Sequence, residues 1–205
     1  MVDRKKSPIN KTLEDRTKIS LFKSKVEQMK DFDGEDEEKI LTILHEALEI
    51  LNITDEPIDK YYDMGDVIGS GKYGLVRIAY SKLNLKVAIK TIKLAGVTTK
   101  YHIIAQEILT LKRVDHPNIV KMHEIYRDKD KLYLVFEYVE GKELFDFIFD
   151  RNRLKESEAA SIIKQLLQCI NHMNSLNICH RDLKLENIVI NPLNKQIKVL
   201  DFGFS

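Results

Sequence analysis

Two segments near the C-terminal end carry side chains suited to chemistry on phosphate groups. Residues 180–187 read HRDLKLEN, and Asp201-Phe202-Gly203 begins fourteen residues after Asn187. Asp and Asn offer hard oxygen ligands of the kind that Mg²⁺ takes together with phosphate oxygens and water. A further Asp can accept or orient the proton of a hydroxyl group. The two segments therefore predict a magnesium site beside a reacting hydroxyl.

A glycine-rich run, residues 69–76, lies far upstream and reads G-x-G-x-x-G-x-V. Glycines let backbone amides approach phosphate oxygens with no side chain in the way. Taken alone, such a run is also typical of an ordinary hairpin turn. A dinucleotide site would continue with a strand-helix unit and an acidic residue, and neither follows this run. The functional interpretation is therefore a loop that covers phosphates.

A lysine follows the glycine-rich run, at the end of Val87-Ala88-Ile89-Lys90. Lys90 is either an exposed lysine at a strand end or a cation directed at the α and β phosphates of a nucleotide. The second role needs a carboxylate to hold the lysine in place. Glu107 is the candidate, because it lies in a helical pattern among the apolar residues Ile103, Ile104, Ile108 and Leu111.

The elements that must position these residues follow a simple order from about Tyr61 onwards. Helical patterns cover about 100–113 and 156–176, the second with an apolar stripe. The β-rich runs are Val67–Ile68, Leu75–Tyr80, Lys86–Lys90, 119–126, 131–138, Ile188–Ile190 and Ile197–Leu200. Antiparallel strands first and helices later predict an α+β protein in two lobes, an N-lobe over about 61–138 and a C-lobe over about 139–205.

Residues 1–60 form a separate N-terminal extension in this interpretation. Residues 1–30 carry nine basic and four acidic residues, whereas residues 31–66 carry two basic and thirteen acidic ones. The charges predict a basic arm and an acidic segment before a mildly basic body, residues 67–205.

An amphipathic helix is expected within the acidic segment, near 36–52. Its apolar residues recur at helical spacing and are Ile40, Leu41, Leu44, Ala47, Leu48 and Leu51. This face is expected to dock on the neighbouring domain, and self-pairing or a separate partner are the alternatives. A calcium loop centred on Gly34 is excluded, because its first and last residues would be Met29 and Ile40.

Composition limits the class of protein. The chain has 205 residues, a net charge of +1 and 43% hydrophobic residues. These values exclude a strongly basic nucleic-acid binder and an acidic disordered chain. Two cysteines are too few for a disulfide framework, and we see neither a membrane-spanning apolar run nor a signal peptide. We therefore expect a cytoplasmic protein, with the nucleus also compatible, that binds neither nucleic acid nor membrane.

The four motifs in this order resemble the eukaryotic protein kinase family over about 62–205. The similarity is closest to the serine/threonine branch that holds the calcium/calmodulin-dependent, AMP-activated and microtubule-affinity-regulating kinases. Lys184 within residues 180–187 points to serine/threonine rather than tyrosine substrates. The segments that carry the branch resemblance are His116–Val120, Leu132–Tyr138, Glu143–Asp146 and Asp201–Ser205.

The resemblance implies an ATP site between the lobes. Lys90 would hold the α and β phosphates and pair with Glu107, Phe136 would be the gatekeeper beside adenine, and residues 137–139 would form the hinge. The positions expected to contact the nucleotide are Ile68, Gly69, Ser70, Gly71, Lys72, Tyr73, Gly74, Val76, Ala88, Lys90, Phe136, Glu137, Val139, Glu143 and Val189.

The resemblance also implies the reaction, which is transfer of the γ-phosphate of ATP to Ser or Thr hydroxyls of a protein substrate. Asp182 would orient the hydroxyl, and Lys184 would neutralise charge on the γ-phosphate. Asn187 and Asp201 would hold Mg²⁺. Glu143 and Glu186 hint at a preference for basic residues near the Ser or Thr.

Other interpretations concern the cysteines and histidines. Cys179 beside His180 could suggest a thiol nucleophile, but adjacent residues of an extended chain point in opposite directions. Cys169 is expected in the core, and His180 is expected to pack under the catalytic loop. The histidines show no metal-ligand spacing.

The sequence ends two residues after Gly203, before the activation segment and further helices that the resemblance implies. We expect Ile163, Leu167 and Ile170 to face water in part as a result. Two hypotheses follow. The chain is an ATP-dependent serine/threonine kinase present as a fragment, or it is a catalytically inactive nucleotide-binding or regulatory module.

Overall fold

The computed structural model describes residues 8–29, 37–51, 53–71, 74–94, 101–128 and 131–202. The helices are α1 (Pro8–Met29), α2 (Glu37–Ile50), α3 (Tyr101–Arg113), α4 (Leu144–Phe149) and α5 (Glu156–Ser175). The strands are β1 (Tyr62–Gly71), β2 (Gly74–Ser81), β3 (Lys86–Lys93), β4 (Met122–Asp128), β5 (Lys131–Glu137), β6 (Lys142–Glu143), β7 (Ile188–Ile190) and β8 (Ile197–Val199). The α+β class expected from the sequence is confirmed.

The first five strands form one antiparallel sheet in the order β1-β2-β3-β5-β4. Because successive side chains point to opposite faces of a strand, the sheet has two distinct faces. One face packs with the short 3-10 turn Ile58–Lys60 in a small core. The buried members of that core are Ile58, Tyr62, Ala79, Val87, Ile89, Tyr126, Tyr133 and Val135. The opposite face carries Lys90 and is described with the site below.

The remaining strands form a second, three-stranded sheet in the order β6-β7-β8. This sheet packs with α4 and α5 around a core of its own, which includes Leu144, Phe147 and Ile162. On the outer side of α5, Ile163 is 52% and Leu167 is 58% exposed. The expected exposure of these two residues is therefore confirmed.

The segment between α3 and β4 joins the two sheets. Val120 donates its backbone N–H to Val199 O at 3.0 Å, and Val199 donates to Asn118 O at 2.8 Å. The buried amide of Asn118 donates to Ile197 O and to Gln165 Oε1, each at 2.9 Å. These bonds occupy the backbone before β4, which explains why β4 begins at Met122 and not at residue 119 as the sequence pattern suggests.

Within the segment whose charge predicts a basic arm, residues 8–29 form the helix α1. Phe22, Val26 and Met29, in the second half of α1, are buried and follow one another at spacings of four and three. The first half is mostly polar, so the helical spacing is difficult to recognise in the sequence. Helix α2, by contrast, lies close to the predicted range of 36–52.

The apolar face of α2 docks inside the chain. Leu44, Ala47 and Leu48 are fully buried in a core that also contains residues of α1, α3, β4 and β5. Docking on the neighbouring domain was the expected outcome, and the structure places this face against residues of that domain. No helix in the part of the chain that the structure describes is long and apolar enough to span a membrane.

The end of the extension is fastened to the edge strand β4. Thr54 donates its N–H to Ile125 O at 3.1 Å, and its carbonyl accepts from the N–H of Arg127 at 3.0 Å. The guanidinium of Arg127 also donates two hydrogen bonds to Asp55, from Nε to Oδ1 at 2.6 Å and from Nη2 to Oδ2 at 2.8 Å. Paired bonds of this kind fix orientation as well as distance.

Candidate active site

A buried ion pair joins the sheet to α3. Lys90 Nζ donates to Glu107 Oε1 at 2.6 Å, and the two side chains are only 12% and 2% exposed. Burying a charge is costly unless it is paired, so each of the two charges offsets the cost of burying the other. The second carboxylate oxygen of Glu107 is buried and has no hydrogen-bond partner among the described residues.

The register of the sheet brings the expected nucleotide-contacting residues to the same face as Lys90. Val76 pairs with Lys90 across β2 and β3, and Gly69 pairs with Val76 across β1 and β2. Ala88, two residues before Lys90, pairs with Phe136 of β5. Residues in register, and residues two apart, share a face of the sheet. The sheet therefore presents small and apolar side chains beside the lysine ammonium group.

The hinge that follows β5 is tied to the second sheet through Glu137. Its Oε1 accepts from Lys198 Nζ of β8 at 2.5 Å and from the backbone N–H of Lys121 at 2.8 Å. Beyond the hinge, the exposed Glu143 pairs in register with Val189 of β7. The sequence interpretation did not include Lys198, because a lysine in a short strand is usually solvated.

Asp182, Lys184 and Asn187 form the second cluster of the site. Lys184 Nζ lies 3.0 Å from Asp182 Oδ2. Asn187 Nδ2 donates to the same oxygen at 3.0 Å and to the backbone carbonyl of Asp182 at 2.8 Å. Because the amide nitrogen faces Asp182, the amide oxygen of Asn187 is turned away from that carboxylate.

The two charged groups of this cluster stabilise each other. The hydrogen bond from Lys184 is the main cause that holds the pKa of Asp182 below its ordinary value, and the bond from Asn187 acts in the same direction. The same hydrogen bond raises the pKa of Lys184, and the charges of Glu186 and Asp201 add to that increase. Asp182 is therefore a carboxylate and Lys184 an ammonium group at neutral pH.

His180 connects this cluster to the segment that carries Asp201. Its Nε2 donates to Leu200 O at 2.9 Å, while its Nδ1 accepts from the N–H of Asp182 at 3.4 Å. Its ring also packs on buried Phe202, with 4.8 Å between centroids. The structural role expected for His180 is confirmed.

Two residues of the cluster region have left-handed backbone conformations. Arg181 has φ of 60° and Asp201 has φ of 54°. This region is uncommon for residues other than glycine, although Asp tolerates it better than Arg. Such local strain concentrates at functional sites. A further backbone bond, from Leu200 N–H to Asn187 O at 2.8 Å, links the two segments that carry the expected metal ligands.

The structure describes only some of the residues in the predicted motifs. Lys72, Tyr73 and Gly203 lie outside the described residues, and only the backbone of Gly71 is described. Ile68 and Ser70 are exposed on β1, and Val139 is half-buried after the hinge.

Three side chains outside the site, those of Cys169, His116 and His172, pack against neighbouring residues. Cys169 is fully buried, which raises the pKa of its thiol to about 11, and Cys179 is exposed. The rings of His116 and His172 pack together with 5.3 Å between their centroids. No group of three or more His, Cys, Asp or Glu able to hold a metal occurs within the described ranges.

Comparison with known proteins finds similarity to protein kinases. The family model described as "Protein kinase domain" matches residues 62–205. Similar proteins include serine/threonine-protein kinase DCLK3 of Mus musculus, 37% identical over 72% of this chain, and CBL-interacting protein kinase 3 of Oryza sativa subsp. japonica, 40% identical over 70%. Death-associated protein kinase 2 of Mus musculus is 36% identical over 73% of the chain. The matches span 19%, 33% and 43% of these relatives' lengths, respectively.

Proposed function

Because the chain belongs to the protein kinase family, we propose that its site binds ATP with Mg²⁺ and transfers the γ-phosphate to Ser or Thr hydroxyls of protein substrates. The similarity to serine/threonine kinases confirms the expected family and its two-lobed fold.

The observation that carries the proposal is the buried pair of Lys90 and Glu107. A lysine that is largely withdrawn from water, fixed by one carboxylate and set on the apolar face of a sheet, is a cation ready for anionic groups. In this role Lys90 contacts the α and β phosphates, and Glu107 holds the ammonium group in position. The glycine-rich hairpin of β1 and β2 lies on the same sheet and covers the phosphates in the proposal.

The residues around Lys90 fit an adenine ring. Val76 and Ala88 lie on the sheet face that carries Lys90, and Val189 lies on the second sheet. In the proposal these side chains sandwich the base, while Phe136 limits its depth and the backbone of residues 137–139 bonds its edge. Ligand sites of this kind are mostly apolar with a few placed polar groups.

The donor set also fits Mg²⁺. Asn187 offers its amide oxygen and Asp201 its carboxylate, which are hard oxygen ligands. Two protein ligands are sufficient where phosphate oxygens and water complete the octahedron. The metal would screen the negative charge of the phosphates. The backbone hydrogen bond from Leu200 to Asn187 keeps the two segments together. We therefore propose that Asn187 and Asp201 hold the metal jointly.

Asp182 orients the substrate hydroxyl in the proposed reaction. Its lowered pKa makes it a weak base, so it accepts a hydrogen bond from the hydroxyl and aligns the oxygen with the phosphorus. Lys184, held 3.0 Å away, offsets negative charge on the transferred phosphoryl group. Positioning and electrostatic stabilisation supply most of the catalysis in reactions of this type.

The rim of the site favours a basic substrate. Glu143 and Glu186 are both exposed next to the cluster elements, and each can pair with an Arg or Lys of a peptide. We therefore propose Ser or Thr residues with basic neighbours as the substrate class. A cytoplasmic location accords with the use of ATP and with two free cysteines.

The proposal is tested by measuring phosphate transfer from radiolabelled ATP to a peptide in which a Ser is flanked by arginines. The assay uses both this chain and the longest natural form of the protein. Lys90→Met is expected to lower the rate by about 10²-fold or more, because a preorganised charge on the phosphates is lost. Lys93→Met is the matched control, since Lys93 is an exposed lysine on the same strand.

The outcomes separate the two hypotheses made from the sequence. Transfer that is absent from every form, or that Asp182→Asn leaves unchanged, contradicts the kinase proposal. Binding of a fluorescent ATP analogue that Lys90→Met abolishes, without any transfer, supports the inactive nucleotide-binding module instead.

A further inference from the structure

Helix α3 is buried around its whole circumference near Glu107. The five consecutive residues 107–111 are each no more than 5% exposed. Successive residues of an α-helix are separated by about 100°, so five of them cover a full turn. A helix that packs on one side of a sheet buries a single stripe. Something other than the sheet therefore covers the second side of α3.

The face of α3 opposite Glu107 is apolar and buried. Ala105 and Leu109 lie two residues on either side of Glu107, about 160° away around the helix axis. Ala105 is 0% and Leu109 is 2% exposed. Since Glu107 points at Lys90 of the sheet, these two residues point away from it. Helices α1 and α2 both pack directly against α3 and belong to the same core.

The side chains that the extension contributes to this core are large and fully enclosed. Phe22 and Val26 of α1 and Leu44 and Leu48 of α2 are each 0% exposed. Leu21, the neighbour of Phe22, is 53% exposed. The hairpin of α1 and α2 thus directs one apolar surface at α3 and leaves its other surface to solvent. These residues all precede the part of the chain that matches the kinase family.

The far end of the extension is anchored independently of this core. The backbone of Thr54 bonds to β4, and Asp55 holds Arg127 of β4 with two hydrogen bonds. The extension therefore contacts both α3 and the sheet that carries Lys90. A connection at both places constrains where α3 lies relative to the sheet.

We propose that the α1–α2 hairpin positions Glu107 for its contact with Lys90, by clamping the back of α3. The inference rests on the proposed function in assigning Lys90 to phosphate binding. An isolated helix of thirteen residues is marginal in water, and its packing supplies most of its stability. Phe22, Val26, Leu44 and Leu48 are positioning residues in this scheme, because they act on the nucleotide only through α3 and Glu107.

Phe22→Ala in the whole chain tests the inference, with Leu21→Ala as the matched control and Phe22→Leu as the conservative variant. Hydrogen exchange of α3 amides is expected to rise in Phe22→Ala and to stay unchanged in Leu21→Ala, with partial recovery in Phe22→Leu. The affinity for a fluorescent ATP analogue with Mg²⁺ is expected to fall about fivefold or more in Phe22→Ala.

A double-mutant cycle with Glu107→Gln separates positioning from general destabilisation. If the hairpin acts through Glu107, Phe22→Ala weakens binding in the original background and adds little in the Glu107→Gln background. Equal losses in both backgrounds, or unchanged α3 exchange in Phe22→Ala, would overturn the inference. Should Phe22→Ala fail to fold, Val26→Ala replaces it with the same criteria.

The proposed function and this inference fail in different ways. Absence of nucleotide binding by the unaltered chain refutes the proposed function. Hydrogen exchange of the α3 amides then decides whether the α1–α2 hairpin clamps α3. Increased α3 exchange in Phe22→Ala then supports the clamp, and unchanged exchange refutes it.

Discussion

The carboxylate of Asp182 is held charged by two neighbours that also fix its direction. Lys184 and Asn187 both donate to Oδ2, at 3.0 Å each. Because its folded pKa lies below the ordinary value near 3.8, the group contributes stability above that pH, and the contribution is lost as pH falls through the folded pKa. A charged, oriented acceptor suits the alignment of a hydroxyl better than the removal of its proton.

Lys184→Met is expected to raise the pKa of Asp182, because the bond from Lys184 is the largest cause of its decrease. The carboxylate then protonates at higher pH, so the acid limb of a pH–rate profile moves to higher pH. A carbon-13 NMR titration of the Asp182 carboxyl measures the pKa directly. Lys164→Met, an exposed change on α5, is the control, and equal Asp182 pKa values in both variants would contradict the assignment.

The hairpin of β1 and β2 depends on glycine at one position much more than at another. A Cβ added to Gly74 would lie 1.8 Å from the carbonyl oxygen of Thr91 on β3, which is a backbone clash. A Cβ added to Gly69 would meet only Val76 Cβ at 3.9 Å, which is ordinary contact. Gly74 is therefore required for the close packing of β2 against β3. The space around Gly69 would accept a Cβ, so strand packing does not require glycine there.

We expect Gly74→Ala to lower the free energy of unfolding by about 1–3 kcal/mol, as forced overpacking does. Gly69→Ala is expected to change it by no more than about 0.5 kcal/mol, as surface substitutions do. Urea denaturation followed by far-ultraviolet circular dichroism measures both. Equal stability of the two variants would show that β2 and β3 are not as closely packed at Gly74 as described.

At the scale of the whole molecule, one core connects the extension with both sheets. Its buried members include Phe22 of α1, Leu44 of α2, Ile108 of α3, Leu134 of β5 and Cys169 of α5. Residues that share a contiguous core stabilise one another and unfold together in small domains. The extension is therefore part of the folded unit and not an appended arm.

The peptides of α2 and β5 are expected to lose protection from hydrogen exchange at the same urea concentration, because they share this core. Hydrogen-exchange mass spectrometry at increasing urea measures the two midpoints. The turn around exposed Leu193 serves as a reference that exchanges rapidly throughout. A lower midpoint for α2, with β5 still protected, would show that the extension unfolds separately.

Local pattern was sufficient for most of the elements. The strand Ile188–Ile190, the first part of the strand Lys86–Lys93 as far as Lys90, and the helix predicted over about 100–113 follow from β-rich runs and helical spacing. Helix α1 did not follow, because its first half is mostly polar and its buried residues Phe22, Val26 and Met29 all lie in the second half. The start of β4 did not follow either, since Asn118 and Val120 bond to β8.

The sequence by itself determined which residues are available for phosphate chemistry, because a glycine-rich run, a lysine and two acidic motifs retain their order and spacing in any conformation. It also determined the periodicities that build the sheet and helices. The tertiary structure decided that Lys198 meets Glu137 and that α1 and α2 pack against α3, and it supplied the contact of Lys90 with Glu107 for which the sequence offered only a candidate. These contacts join residues distant along the chain, and no local pattern specifies which buried faces will meet.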